Sequence, residues 1–324
     1  MPVISAPYEF NYGDLYVDLR SAMGVPLLLK CEGLNLAGSI KLKAAVRMVT
    51  AAERAGRLGP DSTLVESSSG NLGIALAIVA ASKGYRFLCV TDTRANLAAR
   101  RMIESVGGQV HTITTPDAEG GFLAARINHV RELCAQDPRN VWLNQYTNEH
   151  NWKAHYQDTA PAIGERFPDL DVLFVGAGTT GTLMGCARWF RDHRPAVRVV
   201  AVDTVGSVTF GAAPGPRMIP GLGTSVRPAI LDESLVTDVV HVPEADAVRV
   251  CLRLAERGFL FGGSTGTVIS GAARWLALHP ADRELSAVAI APDLGERYLD
   301  SIYQPTWVED IYGIPAHPQA VLAE

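Results

Sequence analysis

The chain of 324 residues has no basic excess, few cysteines and no long hydrophobic run. Lys and Arg number 29 against 34 Asp and Glu, a net charge of −5. The clustered basic surplus of a nucleic-acid or anionic-membrane binder is therefore missing. The longest apolar run, Leu72–Ala81, is interrupted by Gly73 and falls well short of the roughly 20 residues of a membrane span. The opening MPVISAPYEFNYGDLYVDLR shows neither a basic n-region nor an apolar h-region, so no export signal is expected. Cys31, Cys89, Cys134, Cys186 and Cys251 are odd in number, far apart and form no CxxC. No metal site or redox pair is expected, and reduced thiols suit the cytoplasm. Repeats and low-complexity segments are also lacking. Hydrophobic residues make up 48% of the chain, which excludes disorder. The length suits about two domains with a core that needs no staple. Glycine, in contrast, is abundant: 30 residues, above the usual roughly 7%.

From about residue 60, short apolar runs alternate with helical patterns. Strands are predicted over Thr63–Glu66, Arg86–Thr91, Gln109–Thr114 and Val141–Gln145, with helices over Asn71–Ser82, Asn96–Val106 and Phe122–Ala135. The second half repeats this grammar. Asp171–Gly176, Arg198–Val202 and Ser286–Ala291 are near-continuous apolar strands of the kind buried on both faces of a parallel sheet. Gly181–Arg191, Glu244–Arg257 and Thr267–Leu278 are predicted helices. Such alternation implies an α/β architecture with ligands at the carboxyl ends of the strands. Tyr146–Asn151 reads as a crossover between two lobes. Val205–Pro228 reads as a long Gly- and Pro-rich loop, and structureless loops of that length are often functional.

Four glycine-bearing junctions carry chemical signals. Gly176-Ala177-Gly178-Thr179-Thr180-Gly181 links a strand to a helix, with Asp203 about 20 residues on, and satisfies the dinucleotide fingerprint. Its physical content is broader: glycines admit a phosphate close to the backbone, and a helix N-terminus with Thr179, Thr180 and Thr182 donates to it. Gly262-Gly263-Ser264-Thr265-Gly266 matches a nucleophile elbow, with Asp293 and His317 following in hydrolase order. No oxyanion segment accompanies it, however, and Ser is a common helix cap. Glu66-Ser67-Ser68-Ser69-Gly70-Asn71-Leu72-Gly73 offers hydroxyls and N–H groups as a carboxylate cradle, or serial capping of one helix. Asn35-Leu36-Ala37-Gly38-Ser39-Ile40-Lys41 leads into a helix over Ala44–Ala52, with Lys41 expected one turn inside it. An isolated Lys is usually a solvated surface residue. One held near a helix N-terminus and apolar neighbours has its neutral amine favoured, as Schiff-base chemistry requires.

Hydride transfer has no use for all four junctions together, whereas a pyridoxal-phosphate enzyme needs each. With these motifs in order from about Leu27 to Asp293, the chain resembles the fold-type II pyridoxal-phosphate enzymes of the cysteine synthase and cystathionine β-synthase group. The resemblance implies two lobes, each with a mainly parallel sheet flanked by helices. The smaller would span residues 36–149, with 80–130 as its mobile part, and the larger residues 1–35 and 150–324. It further implies pyridoxal 5'-phosphate on Lys41, the base that exchanges the substrate α-proton. Asn71 would bond the cofactor's 3'-oxygen, Gly178, Thr179, Thr180, Gly181 and Thr182 its phosphate, and Ser264 its pyridine nitrogen. Ser68, Ser69, Gly70 and Gln145 would grip the substrate carboxylate. A hydroxyl at the pyridine nitrogen suits expulsion of a β-substituent over chemistry that needs a long-lived carbanion. Leu36 stands where the family often has Pro, which predicts a looser turn. A homodimer is implied by the resemblance alone.

The runs Glu66–Gly73, Gly120–Arg126, Asn144–Asn148 and Val205–Pro228 are similar to a branch supplying 2,3-diaminopropionate to siderophore and antibiotic pathways. That likeness implies β-replacement on O-phospho-L-serine with L-glutamate as nucleophile. Two anionic substrates in an acidic protein need local cations, and Arg126, Arg217 and Arg227 are the candidates, each otherwise a solvated surface residue. Tyr146 would meet the second amino acid or pack between lobes. The alternatives are a cysteine synthase using O-phosphoserine or O-acetylserine with sulfide, a serine/threonine dehydratase, a nicotinamide oxidoreductase and a silent cofactor-binding protein. Gly38, Gly70, Gly73, Gly176, Gly178, Gly181, Gly221, Gly223, Gly262, Gly263 and Gly266 all fall in turns assigned here to one cofactor and its substrate.

Overall fold

A computed structural model describes residues 3–116 and 121–315. In chain order the strands are β1 (Tyr16–Asp18), β2 (Leu28–Cys31), β3 (Thr63–Ser67), β4 (Arg86–Asp92), β5 (Gln109–Ile113), β6 (Asn140–Trp142), β7 (Val172–Gly176), β8 (Arg198–Thr204), β9 (Asp238–Val242) and β10 (Ala287–Ala291). The helices are α1 (Leu19–Met23), α2 (Lys41–Arg54), α3 (Asn71–Lys83), α4 (Leu97–Ser105), α5 (Leu123–Gln136), α6 (Glu149–Ala154), α7 (Ala160–Arg166), α8 (Gly181–His193), α9 (Glu244–Ala255), α10 (Gly263–Leu278) and α11 (Pro305–Tyr312). A π-helical turn, His155–Thr159, joins α6 to α7.

The strands form two sheets. One is four-stranded in the order β5-β4-β3-β6, and the other is six-stranded in the order β1-β2-β10-β7-β8-β9. All pairings are parallel except β1 with β2. β2 lies in the larger sheet beside β10, so the N-terminal segment closes onto the C-terminal half.

Side-chain alternation explains the layering. Phe174, Val200, Val202 and Ala289 face one side of the larger sheet, against Val268, Ala272 and Trp275 of α10. Leu173, Val175, Val199, Ala201 and Ile290 face the other, against Leu183, Met184 and Phe190 of α8. In the smaller sheet Leu64, Phe87 and Cys89 pack against α2, α3 and α4, while Val65 and Val90 pack against Val130 of α5. Strands buried on both faces are the reason these segments read as unbroken apolar runs. No described helix is long and apolar enough to cross a membrane.

The predicted elements are present, with ends displaced by a few residues. Three differences matter. Lys41 is the first residue of α2 rather than one turn inside it, because the Ser39–Ile40 peptide already bonds the end of β10: Ile40 N–H donates to Pro292 O at 2.8 Å. The turn before it is not loose. Asn35 Nδ2 donates to Glu32 O (3.1 Å) and Ser39 O (2.9 Å), and its Oδ1 accepts from Ala37 N–H (3.0 Å), so this side chain does the work a Pro ring would do. Finally, α10 begins at Gly263, four residues before the predicted Thr267, which puts Ser264 inside its first turn.

Candidate active site

The carboxyl ends of β3, β4, β7 and β10 open into one cavity of about 900 Å³. Lys41, Asn71, Ser264 and the loop Gly178–Thr182 all line it, as do Ser68, Ser69, Gly70, Gln145, Tyr146, Arg126 and Arg217. Residues from seven separate sequence segments thus meet at one place.

Shared backbone partners explain why the segments converge. Ser39 lies opposite Asp293 just beyond β10, in a bridge closed by Ile40 N–H to Pro292 O (2.8 Å) and Leu294 N–H to Gly38 O (3.4 Å), and Gly262 N–H donates to Asp293 O at 3.2 Å. The Lys41 turn and the Ser264 turn are therefore held by one strand end. Packing around Lys41 pushes its ammonium down to about 8, opposed by the carboxylate of Asp293. A neutral amine is available near neutral pH, in the state that attacks an aldehyde.

Asp293 is a functional neighbour that sequence reasoning placed only in a hydrolase triad. Its Oδ2 accepts from Asn71 Nδ2 (2.8 Å) and from the Tyr298 hydroxyl (2.5 Å), and its buried Oδ1 has no partner. Burial pushes this carboxyl up, against the hydrogen bonds from Tyr298 and Asn71. Arg297 donates to Asn71 Oδ1 and Ala37 O. Asn71 is thereby gripped at both ends of its amide and held at the cavity wall. Ser264 lines the cavity, no described histidine lines it, and His317 lies outside the described residues. The elbow reading is thereby set aside.

At the end of β7 the chain forms an anion cup. Thr180 takes a left-handed backbone (φ 66°) as the cap of α8, and its buried Oγ1 has no partner. An orphaned buried hydroxyl costs stability unless something occupies it. A phosphate at the helix N-terminus would satisfy it. A methyl on Gly178 would sit 2.6 Å from Gly221 O, so only glycine lets the two walls of the cup approach. Behind the cup, Asn151 Nδ2 donates to Thr179 Oγ1 (3.0 Å) and to Gln145 O (2.8 Å), tying phosphate loop to carboxylate loop. Thr182 Oγ1 lies 3.3 Å from Nε2 of His155, whose Nδ1 lies 3.1 Å from Thr159 Oγ1. Burial, then Lys43 and Lys41, hold this imidazole well below the usual histidine range, hence neutral. Asn148 and Asn151, in the stretch read only as a crossover, and His155, just beyond it, carry polar side chains at helical spacing, and that spacing was the available signal. Asp203, the acid of the dinucleotide fingerprint, is buried and accepts from Thr204 N–H at 2.8 Å. It does not line the cavity.

The carboxylate cradle is partly a cap. Ser68 Oγ accepts from Gly73 N–H (2.9 Å) and Gly70 N–H (3.2 Å), so this hydroxyl starts α3. Ser67 Oγ is buried without a partner. Gln145 Nε2 donates to Ser67 O at 3.0 Å and sets the loop's position. Below it, burial pushes the Glu66 carboxyl to about 7, against hydrogen bonds from the Trp142 indole and Ser67 N–H.

The long loop is ordered by side chains in place of a ladder. Ser207, Thr209 and Thr224 hydroxyls bond one another, and Glu244 accepts from Met218 and Ile219 N–H. Residues 214–226 of this loop form one wall of the cavity. Within it Arg217 donates to Gly206 O and to Ser225 Oγ (2.8 Å). Arg126 on α5 is buried and pairs with Asp92 at 3.3 Å. Tyr146 sits among these groups: burial raises its phenol pKa, with the positive charges of Arg126 and Arg217 opposing. Arg227 is different. The chain turns outward after Val226, and the Arg227 guanidinium pairs with Glu233 at the surface, outside the cavity lining. Gly120, before the Arg126 helix, lies outside the described residues.

A family profile for pyridoxal-phosphate dependent enzymes matches residues 16–293, the span that holds Lys41, the phosphate cup and Ser264. The chain belongs to the pyridoxal-phosphate dependent enzymes. Its cofactor is pyridoxal 5'-phosphate, and the orphaned Thr180 hydroxyl, the Gly178 approach and the low-pKa Lys41 fit that group. Within the family the chain is 43% identical to the N-(2-amino-2-carboxyethyl)-L-glutamate synthase of Ralstonia nicotianae over 284 residues, covering 87% of this chain and 83% of that one. It is 37% identical to the enzyme of the same name from Cupriavidus metallidurans over 308 residues, 93% and 90% of the two chains. Among solved structures, O-ureido-L-serine synthase superposes with a TM-score of 0.83 at 32% identity, covering 96% of each chain. The fold is accordingly the fold-type II arrangement of this family.

Proposed function

We propose that the protein joins the three-carbon skeleton of O-phospho-L-serine to the amine of L-glutamate, giving N-(2-amino-2-carboxyethyl)-L-glutamate and phosphate. The product is a precursor of 2,3-diaminopropionate. The observation that carries this reading is the basic character of the cavity, where Arg126 and Arg217 flank Tyr146. Two anionic substrates require such groups, whereas sulfide does not. Identities of 43% and 37% over most of the chain to two synthases of that name support it.

Pyridoxal phosphate, when bound, supplies the electron sink that allows an α-proton to leave and a β-substituent to be expelled. This chain's residues do the rest. Lys41 holds the cofactor and then takes and returns the α-proton. Gly178, Thr179, Thr180, Gly181 and Thr182 hold the phosphate, Asn71 the 3'-oxygen and Ser264 the pyridine nitrogen. Ser68, Ser69, Gly70 and Gln145 hold the substrate carboxylate, with Arg126, Arg217 and Tyr146 toward the second amino acid. Residues 36–149 act as the smaller lobe, and its 80–130 part closes on residues 1–35 and 150–324 to exclude water. The enzyme works in the cytoplasm as a homodimer. Free, buried Cys31, Cys89, Cys186 and Cys251 are consistent with a reducing compartment, and exposed Phe10, Tyr12 and Leu15 offer apolar surface to a second copy.

The test is mass spectrometry of the products formed from phosphoserine with glutamate or with sulfide. A glutamate adduct is expected. Efficient cysteine formation with no adduct would overturn the reading in favour of a cysteine synthase.

A further inference from the structure

Among the described residues that line it, the basic cavity contains one group of the opposite sign. Among the described residues lining it, Lys41, Arg94, Arg126, Arg217 and Arg297 carry basic side chains, and Asp92 is the only carboxylate. A cavity meant for dianions alone gains nothing from a carboxylate, which repels every ligand carboxylate or phosphate that enters. Asp92 ends β4, one strand over from the carboxylate loop that follows β3, and is 4% exposed. Its Oδ1 is anchored by Arg94 N–H at 2.8 Å, and its Oδ2 faces Arg126 Nη1 at 3.3 Å. The pairing is loose: neither Nη1 nor Nε of the buried Arg126 has a hydrogen-bond partner. Arg126 is 8% exposed, so these N–H groups lack both water and protein acceptors. That cost is recovered when an anion arrives. The result is a carboxylate held by one backbone N–H and one long ion pair beside a guanidinium with two unpaired N–H groups, on two residues that line the same cavity.

We propose that Asp92 is a specificity-determining residue that receives the ammonium of the second amino acid while Arg126 receives one of its carboxylates. An amino acid carries these two charges a few bonds apart, and the Asp92–Arg126 pair presents their complements at one ion-pair distance. The pair selects a zwitterion over a simple anion: a dicarboxylate without an amine meets Arg126 but is repelled by Asp92. Sulfide uses neither group. This inference rests on the reading above that the nucleophile is an amino acid, and it identifies the part of the site that recognises the reacting amine.

The test uses purified holoenzyme, saturating phosphoserine, glutamate as substrate and glutarate as its amine-free analogue. In Asp92→Asn the KM for glutamate is expected to rise about ten- to a hundred-fold, the loss of one charge-assisted bond. Glutarate binding, followed by calorimetry, is expected to tighten, because Arg126 is freed of its competitor. Phosphate release from phosphoserine alone, which precedes the second amino acid, is expected to change by a smaller factor than the KM for glutamate. Opposite shifts for glutamate and glutarate are the signature, because damage to the fold weakens both. If Asp92 merely neutralises Arg126, both ligands tighten in Asp92→Asn, and the proposal is overturned. It is equally overturned if the glutamate KM does not move, or if phosphate release is lost together with it. Wild-type enzyme gives a check independent of the variant's folding: glutarate should bind at least about tenfold more weakly than glutamate, and equal affinity refutes the inference. A wild type that forms no glutamate adduct at all would instead refute the underlying reading, a result the product analysis records separately.

Discussion

Replacing Gly178 by Ala tests whether the phosphate cup depends on two loops in backbone contact. The added methyl would lie 2.6 Å from the carbonyl oxygen of Gly221, while ordinary contact begins near 3.4 Å. The obstacle is backbone, so no side-chain tip can swing aside, and the Gly221 segment must retreat by about 0.8 Å. That retreat strains the Gly223 N–H to Ala177 O hydrogen bond (2.8 Å), which joins the same two loops. It also moves Gly221 relative to Ser264, whose Oγ already occupies the space beside it. Overpacking and a weakened hydrogen bond together cost about 2 kcal/mol or more. If that falls on the holo state, the cofactor dissociation constant rises about thirty-fold. Absorbance titration of apoprotein with pyridoxal phosphate measures it, with thermal unfolding of apo and holo forms alongside. Gly59→Ala is the control, because a methyl there meets nothing within 4 Å. A Gly178→Ala protein that binds cofactor within about threefold of wild type would show that the loops have slack, and the close-approach argument would fail.

Three further outcomes follow from the site. Lys41→Ala should retain the cofactor only non-covalently, resist borohydride reduction onto protein and lose turnover by about 1,000-fold or more; near-normal activity would remove Lys41 from its role. The rate at which apoprotein captures pyridoxal phosphate should rise with pH through about 8, not near 10.5, because burial lowers the Lys41 pKa and only its neutral amine attacks. A stopped-flow pH series reads this, and a rate flat from pH 6 to 9 would contradict it. Arg227→Ala should leave the kinetics unchanged and stability within about 1 kcal/mol, since it removes an exposed pair with Glu233. A large rise in KM would return Arg227 to the cavity.

Much of the architecture was legible because its signals are local. Strands buried on both faces must be apolar throughout, so β7, β8 and β10 stood out from composition alone. Helix α8 and its glycine-rich entry were equally visible, because a phosphate cup needs small residues at consecutive positions. Lys41 was legible for a different reason: a cation at a helix N-terminus is unfavourable and invites a chemical explanation. Less visible were the groups that act through their neighbours. Asn151, His155 and Asp293 are ordinary polar residues in sequence, and their meaning comes from the threonines and the asparagine they hold. The arginines show the same limit. Arg126, Arg217 and Arg227 looked equivalent, yet the fold buries the first against Asp92, sets the second as a clamp within the loop and sends the third to the surface.

Glycine gives the sharpest division between the two kinds of information. The sequence by itself determined that the surplus concentrates at strand–helix turns, because tight turns and close backbone approach exclude side chains. Which glycines face the ligand was decided only by tertiary packing. Of the eleven assigned to the site, Gly70, Gly176, Gly178, Gly181, Gly221 and Gly223 line the cavity. Gly266 instead lets α10 lie against the Ala247 carbonyl and Cys251 of α9, and Gly263 makes room for Ile219 and Ile302. A turn's conformation is written within a few residues, so sequence can announce it. What fills the space beside a missing side chain comes from segments tens to hundreds of residues away, and only the folded chain brings them there.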